Sequence, residues 1–240
     1  MGLLWSRRVP GVLPSTADKP RYVAAMFGRI AARYDLMNSL MTGGQDAHWR
    51  HLVADAIGPA TRVLDVGTGT GKLARTIAEH RPDANVVGVD FTFPMLRRAA
   101  PGQHLACADA TRLPFAHQQF DAVVSGFLVR NLADVRAGIA EQVRVLGPGG
   151  RLVILETTPG PTGWLGPLFR LYFRVLVPVL GGLIAGDARA YTYLPESTAA
   201  FIQPERLVEA LRAAGLEDVQ TRRLALGSVA VTVGTLGRRA

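Results

Sequence analysis

A glycine-rich loop near residue 67 could bring the backbone close to a ligand. Asp65-Val66 ends an apolar run and leads into Gly67-Thr68-Gly69-Thr70-Gly71, with glycine at every second position. Glycine has no Cβ, so the backbone can approach a bound molecule where another residue would clash. The third glycine comes one position too early for the G-x-G-x-x-G dinucleotide motif, and Lys72 is followed by Leu73 rather than by the Ser or Thr of a P-loop. The loop therefore predicts a ligand site, but neither a dinucleotide site nor a P-loop phosphate site.

Two acidic residues downstream indicate which ligand the loop serves. Asp90 ends the second predicted strand, and Asp109 follows the third. One carboxylate can accept hydrogen bonds from both ribose hydroxyls, and one at the next strand can accept from an adenine amino group. Since no phosphate-neutralising cluster accompanies these acids, they favour a nucleoside with a cationic other end, which describes S-adenosyl-L-methionine. The alternative is a Rossmann-like sheet whose aspartates only cap helices.

The elements that must position these residues follow from hydrophobic periodicity. Residues 61–157 alternate β-branched runs with helical stretches, which is typical of βαβ units and a mainly parallel sheet. We predict strands at 62–66, 85–90, 104–108, 122–126 and 151–156, and helices at 73–79, 94–99 and 135–145. A helix near 205–214 and a closing hairpin formed by 218–225 and 228–235 follow at the sheet edge.

The chain before the sheet is predicted to be helical. One helix face is apolar, because hydrophobic residues recur at spacings of one, three and four at Met26, Phe27, Ile30, Tyr34 and Met37. Gly43-Gly44 ends that helix. A second helix is expected from Asp46, as the N-cap, to Ala56.

Composition limits the classes of protein that the chain can be. Its 240 residues are 48% hydrophobic, which is enough for one sizeable core. A single cysteine, Cys107, excludes an intramolecular disulfide, and five scattered histidines predict no metal site. The net charge of +8 favours anionic partners in general. We predict no nucleic-acid partner, because neither a base-flipping signature nor an aromatic-basic stripe is visible.

The most apolar segment covers residues 160–185. Arg170, Arg174 and Pro178 interrupt it, so we predict that it does not span a membrane. The segment could form a wall for a polyprenyl tail or contact a membrane surface. The alternatives are core packing and a dimer interface.

Several motifs together resemble a known family. Residues 65–71, Asp90-Phe91-Thr92, Asp109-Ala110 and the Arg144–Gly150 segment are similar to the successive motifs of class I S-adenosylmethionine-dependent methyltransferases. The Tyr34-Asp35-Leu36-Met37-Asn38 helix, Arg130-Asn131 and the segment from Tyr191 through Tyr193 to Ser197 are more specific. They resemble the ubiquinone/menaquinone biosynthesis C-methyltransferases, and the resemblance covers about residues 22–235.

The resemblance implies a fold and a domain organisation. The expected fold is α/β and Rossmann-like, with a mainly parallel seven-stranded sheet flanked by helices, an N-terminal helical lid and an apolar insertion. Residues 1–19 would be a flexible basic leader, and 20–240 a single methyltransferase domain. Within it we expect a lid at 20–58, a cofactor-binding core at 61–157, a substrate-side insertion at 160–200 and a C-terminal helix and hairpin at 203–235.

The resemblance also implies a reaction and its residues. The expected activity is S-adenosylmethionine-dependent C-methylation of a demethylated polyprenyl quinol, of the demethylmenaquinol or ubiquinone-precursor type. The expected cofactor-binding residues are Asp65, Gly67, Gly69, Thr70, Gly71, Asp90, Phe91, Asp109, Ala110 and Gly126. Arg130 would stabilise a phenolate rather than act as a base, because arginine stays charged in proteins, with Asn131 orienting it and Tyr34 in the lid over the pocket. Glu156 is either a substrate-side acceptor or a helix-cap contact.

Other functions stay open at this point. The acceptor could be another phenolic or polyketide-like small molecule, or the chain could be a binding or assembly protein without chemistry. The protein is expected in the cytoplasm, at the inner face of the membrane if it contacts lipid, and a homodimer is also compatible. Three positions depart from the family pattern: Gly28, Leu128-Val129 and Lys72, where the family usually has an acid. We expect the Lys72 ammonium to turn to solvent, away from a sulfonium.

Overall fold

Seven strands form one twisted sheet in a computed structural model that describes residues 13–161, 163–201 and 203–238. The strands are β1 Arg62–Val66, β2 Asn85–Asp90, β3 His104–Cys107, β4 Phe120–Gly126, β5 Leu146–Thr157, β6 Leu216–Leu224 and β7 Val229–Leu236. Their order is β3-β2-β1-β4-β5-β7-β6. Strands β1 to β5 pair in parallel, whereas β7 is antiparallel to both of its neighbours. The predicted Rossmann-like fold and its closing hairpin are confirmed.

Helices cover both faces of the sheet. They are α1 Lys19–Ile30, α2 Tyr34–Thr42, α3 Gln45–Ala56, α4 Lys72–His80, α5 Phe93–Leu96, α6 Val135–Val145, α7 Leu165–Ala185, α8 Ala188–Ala200 and α9 Pro204–Ala213. A short 3₁₀ turn, Val129–Asn131, follows β4. Because parallel strands all end at one edge, the loops after β1, β2, β3 and β4 meet there.

The core consists of two layers and a separate cluster. Alternate strand residues point to opposite faces, so Leu64 packs against α6 and α9 while Val63 packs against α3 and α4. A third cluster joins the N-terminal helices to α7 and α8. This lid cluster contains Met26, Ile30, Met37, Val177, Ala190, Tyr191 and Tyr193. It lies apart from the sheet faces and covers the edge where the site residues meet.

The N-terminal prediction needs two corrections. The expected single helix is divided, since the chain turns at residues 31–33 between α1 and α2. Its apolar spacing continues across the turn and so gave no sign of the break. Asp46 is not an N-cap either: Gly44 occupies that position. Both carboxylate oxygens of buried Asp46 are used elsewhere, by the Thr42 hydroxyl and by Arg50 Nη1 at 2.8 Å.

Helix α7 also differs from expectation. It is continuous, includes two π-helical stretches, and is long and apolar enough to cross a membrane, with a mean hydropathy of 1.7. Pro178 follows the first π-helical stretch, and the helix continues through it. Only 11% of its most apolar window is buried within the protein. Of the predicted leader, residues 1–12 lie outside the described residues, and α1 already begins at Lys19.

Candidate active site

A cavity of about 430 Å³ lies at the carboxyl ends of β1, β2 and β4. Nine of the predicted site residues line it: Tyr34, Gly67, Gly69, Asp90, Phe91, Asp109, Ala110, Gly126 and Asn131. One wall comes from α1, through Pro20, Val23 and Phe27. The cavity therefore lies between the sheet edge and the N-terminal helices.

The glycine loop needs glycine for conformation and for space. Gly67 and Gly69 have φ of +72° and +59°, in the left-handed region that other residues rarely adopt. A Cβ on Gly67 would lie 2.8 Å from the Leu128 side chain. The Gly69 N–H donates to Asp90 Oδ2 at 2.9 Å. The loop is thereby held against the end of the neighbouring strand.

Asp90 is oriented from both sides. Its Oδ1 accepts from the Thr92 N–H at 2.7 Å, while Oδ2 accepts from Gly69. Burial raises the pKa of Asp90, and these backbone donors oppose the rise. A carboxylate has about four lone-pair sites, so these donors leave acceptor capacity for a hydroxyl in the cavity. The side chain fits the expected ribose-binding role.

Three predicted cofactor residues support the loop without lining the cavity. Asp65 is fully buried, and its Oδ2 accepts from Thr68 Oγ1 at 2.7 Å and from the Ala74 N–H at 3.1 Å. Burial raises the pKa of Asp65 to about 7. Thr70 Oγ1 donates to Asp35 Oδ1 at 2.9 Å, and Gly71 is the left-handed N-cap of α4. These three residues fix where the loop ends and α4 begins.

The Lys72 side chain is 31% exposed and does not line the cavity. Its Nζ lies 3.7 Å from Asp35 Oδ2, in the first turn of α2. Asp35 thus binds Thr70 with one oxygen and faces Lys72 with the other. The expected partial exposure away from the cavity is therefore present, and the lid helix in addition supplies a carboxylate for the ammonium. The departure at position 72 forms a contact between the lid and the loop.

Beyond the ends of β2 and β3, the cavity lining combines a carboxylate, Asp109, with an aromatic ring, Phe91. Asp109 is exposed, and its Oδ1 accepts both from the Thr111 N–H and from the Thr111 hydroxyl, each at 2.8 Å. Phe91, beside it in the lining, has 51% of its surface exposed. An open aromatic face next to a fixed carboxylate can stack on a base and accept from its amino group.

Arg130 differs from the sequence expectation. Its Nη1 forms an ion pair with Glu156 Oε1 and donates to the Phe127 carbonyl at 3.0 Å. Both side chains of the pair are buried, and Arg130 is not among the residues that line the cavity. The guanidinium turns away because Glu156, at the end of β5, supplies a buried counter-charge. Glu156 Oε2 also accepts from the Arg130 backbone N–H at 3.2 Å, in the 3₁₀ turn, so Glu156 makes a helix-cap contact as well as the ion pair.

Asn131 lines the cavity from the 3₁₀ turn after β4. Its Oδ1 accepts from the Tyr193 hydroxyl at 3.2 Å, and its Nδ2 donates to the Phe127 carbonyl at 3.0 Å. The amide orientation is fixed by two partners, and Nδ2 retains a second hydrogen. Tyr34 lines the same cavity, and burial raises the pKa of its hydroxyl.

Sequence reasoning missed Lys19. Its Nζ donates to the carbonyls of Arg130 at 2.8 Å and of Leu132 at 2.9 Å, on either side of Asn131. Burial, followed by the charge of Arg130, lowers the pKa of Lys19 to about 8, and Glu156 opposes the shift. The one sequence signal that could have drawn attention to Lys19 was composition, because the chain has only two lysines among its 27 basic residues.

Comparisons with known proteins agree with this geometry. The family model of the ubiE/COQ5 methyltransferases matches residues 15–236. A demethylmenaquinone methyltransferase of Deinococcus radiodurans is 45% identical, over 90% of this chain and 93% of that protein. One of Thermus thermophilus is 47% identical, over 87% and 99%. A ubiquinone/menaquinone biosynthesis C-methyltransferase UbiE of Desulfotalea psychrophila is 43% identical, over 88% and 89%.

Solved structures share the fold at low sequence identity. A Thermotoga maritima S-adenosylmethionine-dependent methyltransferase, a possible histamine N-methyltransferase, has a TM-score of 0.65 at 20% identity, over 88% of this chain and 98% of that one. The [4+2]-cyclase SpnF has a TM-score of 0.67 at 17% identity, over 97% and 100%. A cyclase on this fold shows that the fold alone does not set the reaction. The assignment rests on the family match: the chain belongs to the ubiE/COQ5 methyltransferase family and is an S-adenosylmethionine-dependent C-methyltransferase.

Proposed function

We propose that the chain methylates a ring carbon of a demethylated polyprenyl quinol, of the demethylmenaquinol or ubiquinone-precursor type. One observation carries the proposal: a single cavity joins carboxylates that suit an adenosine to an apolar wall formed by Val23 and Phe27 of α1. An aromatic quinol ring can occupy such a wall, with its hydroxyls toward the few polar groups present. The names of the relatives favour the same substrate class.

The cofactor end of the cavity fits S-adenosylmethionine. Asp90 would hold the ribose, Asp109 with Phe91 and Ala110 the adenine, and the backbone at Gly67 and Gly69 the methionyl end. When bound, S-adenosylmethionine supplies a methyl group activated by its sulfonium. Thr70 has a different role: its hydroxyl is occupied by Asp35, so it fixes the loop.

The acceptor end can hold a quinol oxygen in a fixed orientation. A quinol carbon becomes nucleophilic as the neighbouring hydroxyl loses its proton, so a donor to the resulting oxygen lowers the barrier. The free hydrogen on Asn131 Nδ2 supplies that donor. Tyr34 keeps its proton at neutral pH because burial raises its pKa, so it acts as a second donor rather than as a base.

Arg130 acts through its neighbours. Its ion pair with Glu156 and its bond to the Phe127 carbonyl hold the turn that carries Asn131. We therefore propose Arg130 as a positioning residue, in place of the direct phenolate contact expected from the sequence.

The substrate class suggests where the chain works. A polyprenyl quinol partitions into the bilayer, so we propose a cytoplasmic enzyme that acts at the inner face of the membrane. The proposal gives no role to nucleic acid, because the excess arginines are spread along the chain.

A methyltransferase assay tests the function. Purified protein is given S-adenosylmethionine with demethylated quinols that carry long, short or no prenyl tails, and products are identified by mass spectrometry. We expect one added methyl group on the ring carbon of a prenylated quinol. Cofactor binding without methylation of any quinol would redirect the search to other phenolic acceptors. Absence of cofactor binding by calorimetry would contradict the enzymatic proposal altogether.

A further inference from the structure

Helix α7 presents a continuous apolar face to solvent. Six large apolar side chains, each at least half exposed, recur at spacings of three and four: Trp164, Leu168, Leu171, Val175, Val179 and Leu183. Residues at such spacings share one side of a helix. We call these six residues the α7 face. Exposed apolar patches of this kind mark interaction surfaces.

The opposite side of α7 is fixed to the protein. Val177 is fully buried in the lid cluster, and the Tyr172 hydroxyl donates to the Met41 carbonyl at 2.8 Å. Gly181 packs so closely on the Tyr191 ring that a Cβ there would clash with it. A membrane-spanning position would require these contacts to break. Despite its length and hydropathy, α7 is therefore suited to lie along a surface rather than to cross a bilayer.

The charges that α7 itself carries are all positive. From Thr157 to Gly186, Arg170 and Arg174 are the only charged residues, and both are exposed. Arginines beside an apolar helix face can reach anionic headgroups while the apolar side chains enter the acyl boundary. A second copy of the chain is a poorer occupant, because a two-fold contact through this face would place two arginines from each copy in one interface, with no acidic residue of α7 to pair them.

We propose that the α7 face docks on the surface of an anionic lipid bilayer. The choice of a bilayer also rests on the proposed function, since a polyprenyl substrate is dissolved there. The docked helix packs against α2 and α8 through the lid cluster. Docking would therefore set the lid side of the cavity toward the membrane that holds the substrate.

Vesicle cosedimentation tests the surface without cofactor or quinol. The probes are phosphatidylcholine vesicles and vesicles of equal parts phosphatidylcholine and phosphatidylglycerol. We expect the wild type to bind the anionic vesicles and the triple variant Leu168→Gln, Leu171→Gln, Val175→Gln to bind at least about tenfold more weakly. Leu226→Gln, at another exposed leucine, is the control for lost apolar surface and should bind as the wild type does.

A second pair of variants tests the charges. Arg170→Gln with Arg174→Gln should weaken binding to anionic vesicles about tenfold. Arg206→Gln with Arg212→Gln removes the same charge from α9 and should have little effect. Equal binding by the triple variant and the wild type would overturn the proposal. So would an absence of wild-type binding, or a solution dimer that the triple variant dissociates.

An activity assay separates this inference from the proposed function. The triple variant should lose methylation of a long-tailed quinol in vesicles while keeping that of an unprenylated quinol in buffer. A wild type that binds vesicles but methylates no quinol would overturn the proposed function and leave the docking surface in place.

Discussion

The two ends of the cavity, where we propose that the cofactor and the acceptor bind, are built in different ways. At the cofactor end, the groups come from neighbouring parallel strands, and Gly69 and Asp90 are 21 positions apart. At the acceptor end, Lys19 reaches Arg130 across 111 positions, and Tyr193 reaches Asn131 across 62. The first end forms with the sheet itself. The second exists only when α1, the turn after β4 and α8 have met, so it depends on the packing of the whole lid.

Breaking the buried ion pair should have the largest effect. Glu156→Gln leaves the Arg130 guanidinium buried without a counter-charge, and we expect a loss of about 3–5 kcal/mol in the free energy of unfolding. Urea denaturation measures it. The control is Glu205→Gln, which removes an exposed partner of Arg223 at 2.7 Å and should cost at most about 1 kcal/mol. Equal losses would show that the acceptor end does not depend on this pair.

Cofactor binding should be most sensitive to substitution of Asp90. Asp90→Asn removes a charged acceptor from the cavity, and we expect about a hundredfold weaker binding of S-adenosylmethionine by calorimetry. Asp83→Asn lies on the exposed turn before the same strand and serves as the control. Unchanged affinity in the Asp90 variant would remove the proposed ribose contact.

Asp65 makes the cofactor end sensitive to pH. Its pKa is about 7 in the folded protein against an ordinary value of 3.8, so the folded chain retains a proton that the unfolded chain releases. Stability from this group is present at low pH and is lost as pH rises toward 7. Relative to Asp65→Asn, the wild type should lose about 2 kcal/mol between about pH 5 and about pH 6.5. A constant difference in urea denaturation would contradict the buried, protonated carboxyl.

Substitutions of the two lysines should have the smallest effects, and they compare the acceptor end with the cofactor end directly. Lys19→Met removes two donors from the turn that carries Asn131, and we expect about a tenfold lower kcat/KM for the acceptor with unchanged cofactor affinity. Lys72→Met removes a partly exposed contact with Asp35 and should change either constant by at most about threefold. If Lys19→Met weakened cofactor binding instead, the two ends would not be separable. Lys19→Arg, which keeps the charge, should restore part of the activity.

The cofactor end was easier to predict from the sequence than the acceptor end, because its groups lie on neighbouring strands, whereas those of the acceptor end are distant in sequence. The strands 62–66 and 85–90 and the helix 135–145 have the predicted bounds, because each is encoded by one short periodic stretch. Asp90 could be placed because it ends such a stretch. Arg130 could not, since its orientation depends on Glu156, which is distant in sequence. The turn between α1 and α2 was missed because the apolar spacing is the same on both sides of it.

The position of β7 has a consequence for how the sheet is completed during folding. This last strand is inserted between β5 and β6, and it pairs with β5 along residues that include Glu156. Until it is in place, β5 has an unpaired edge and β6 has no partner in the sheet. A truncation before Val229 would therefore open the interior of the sheet instead of shortening its border. Such a fragment would expose an aggregation-prone edge beside the acceptor end.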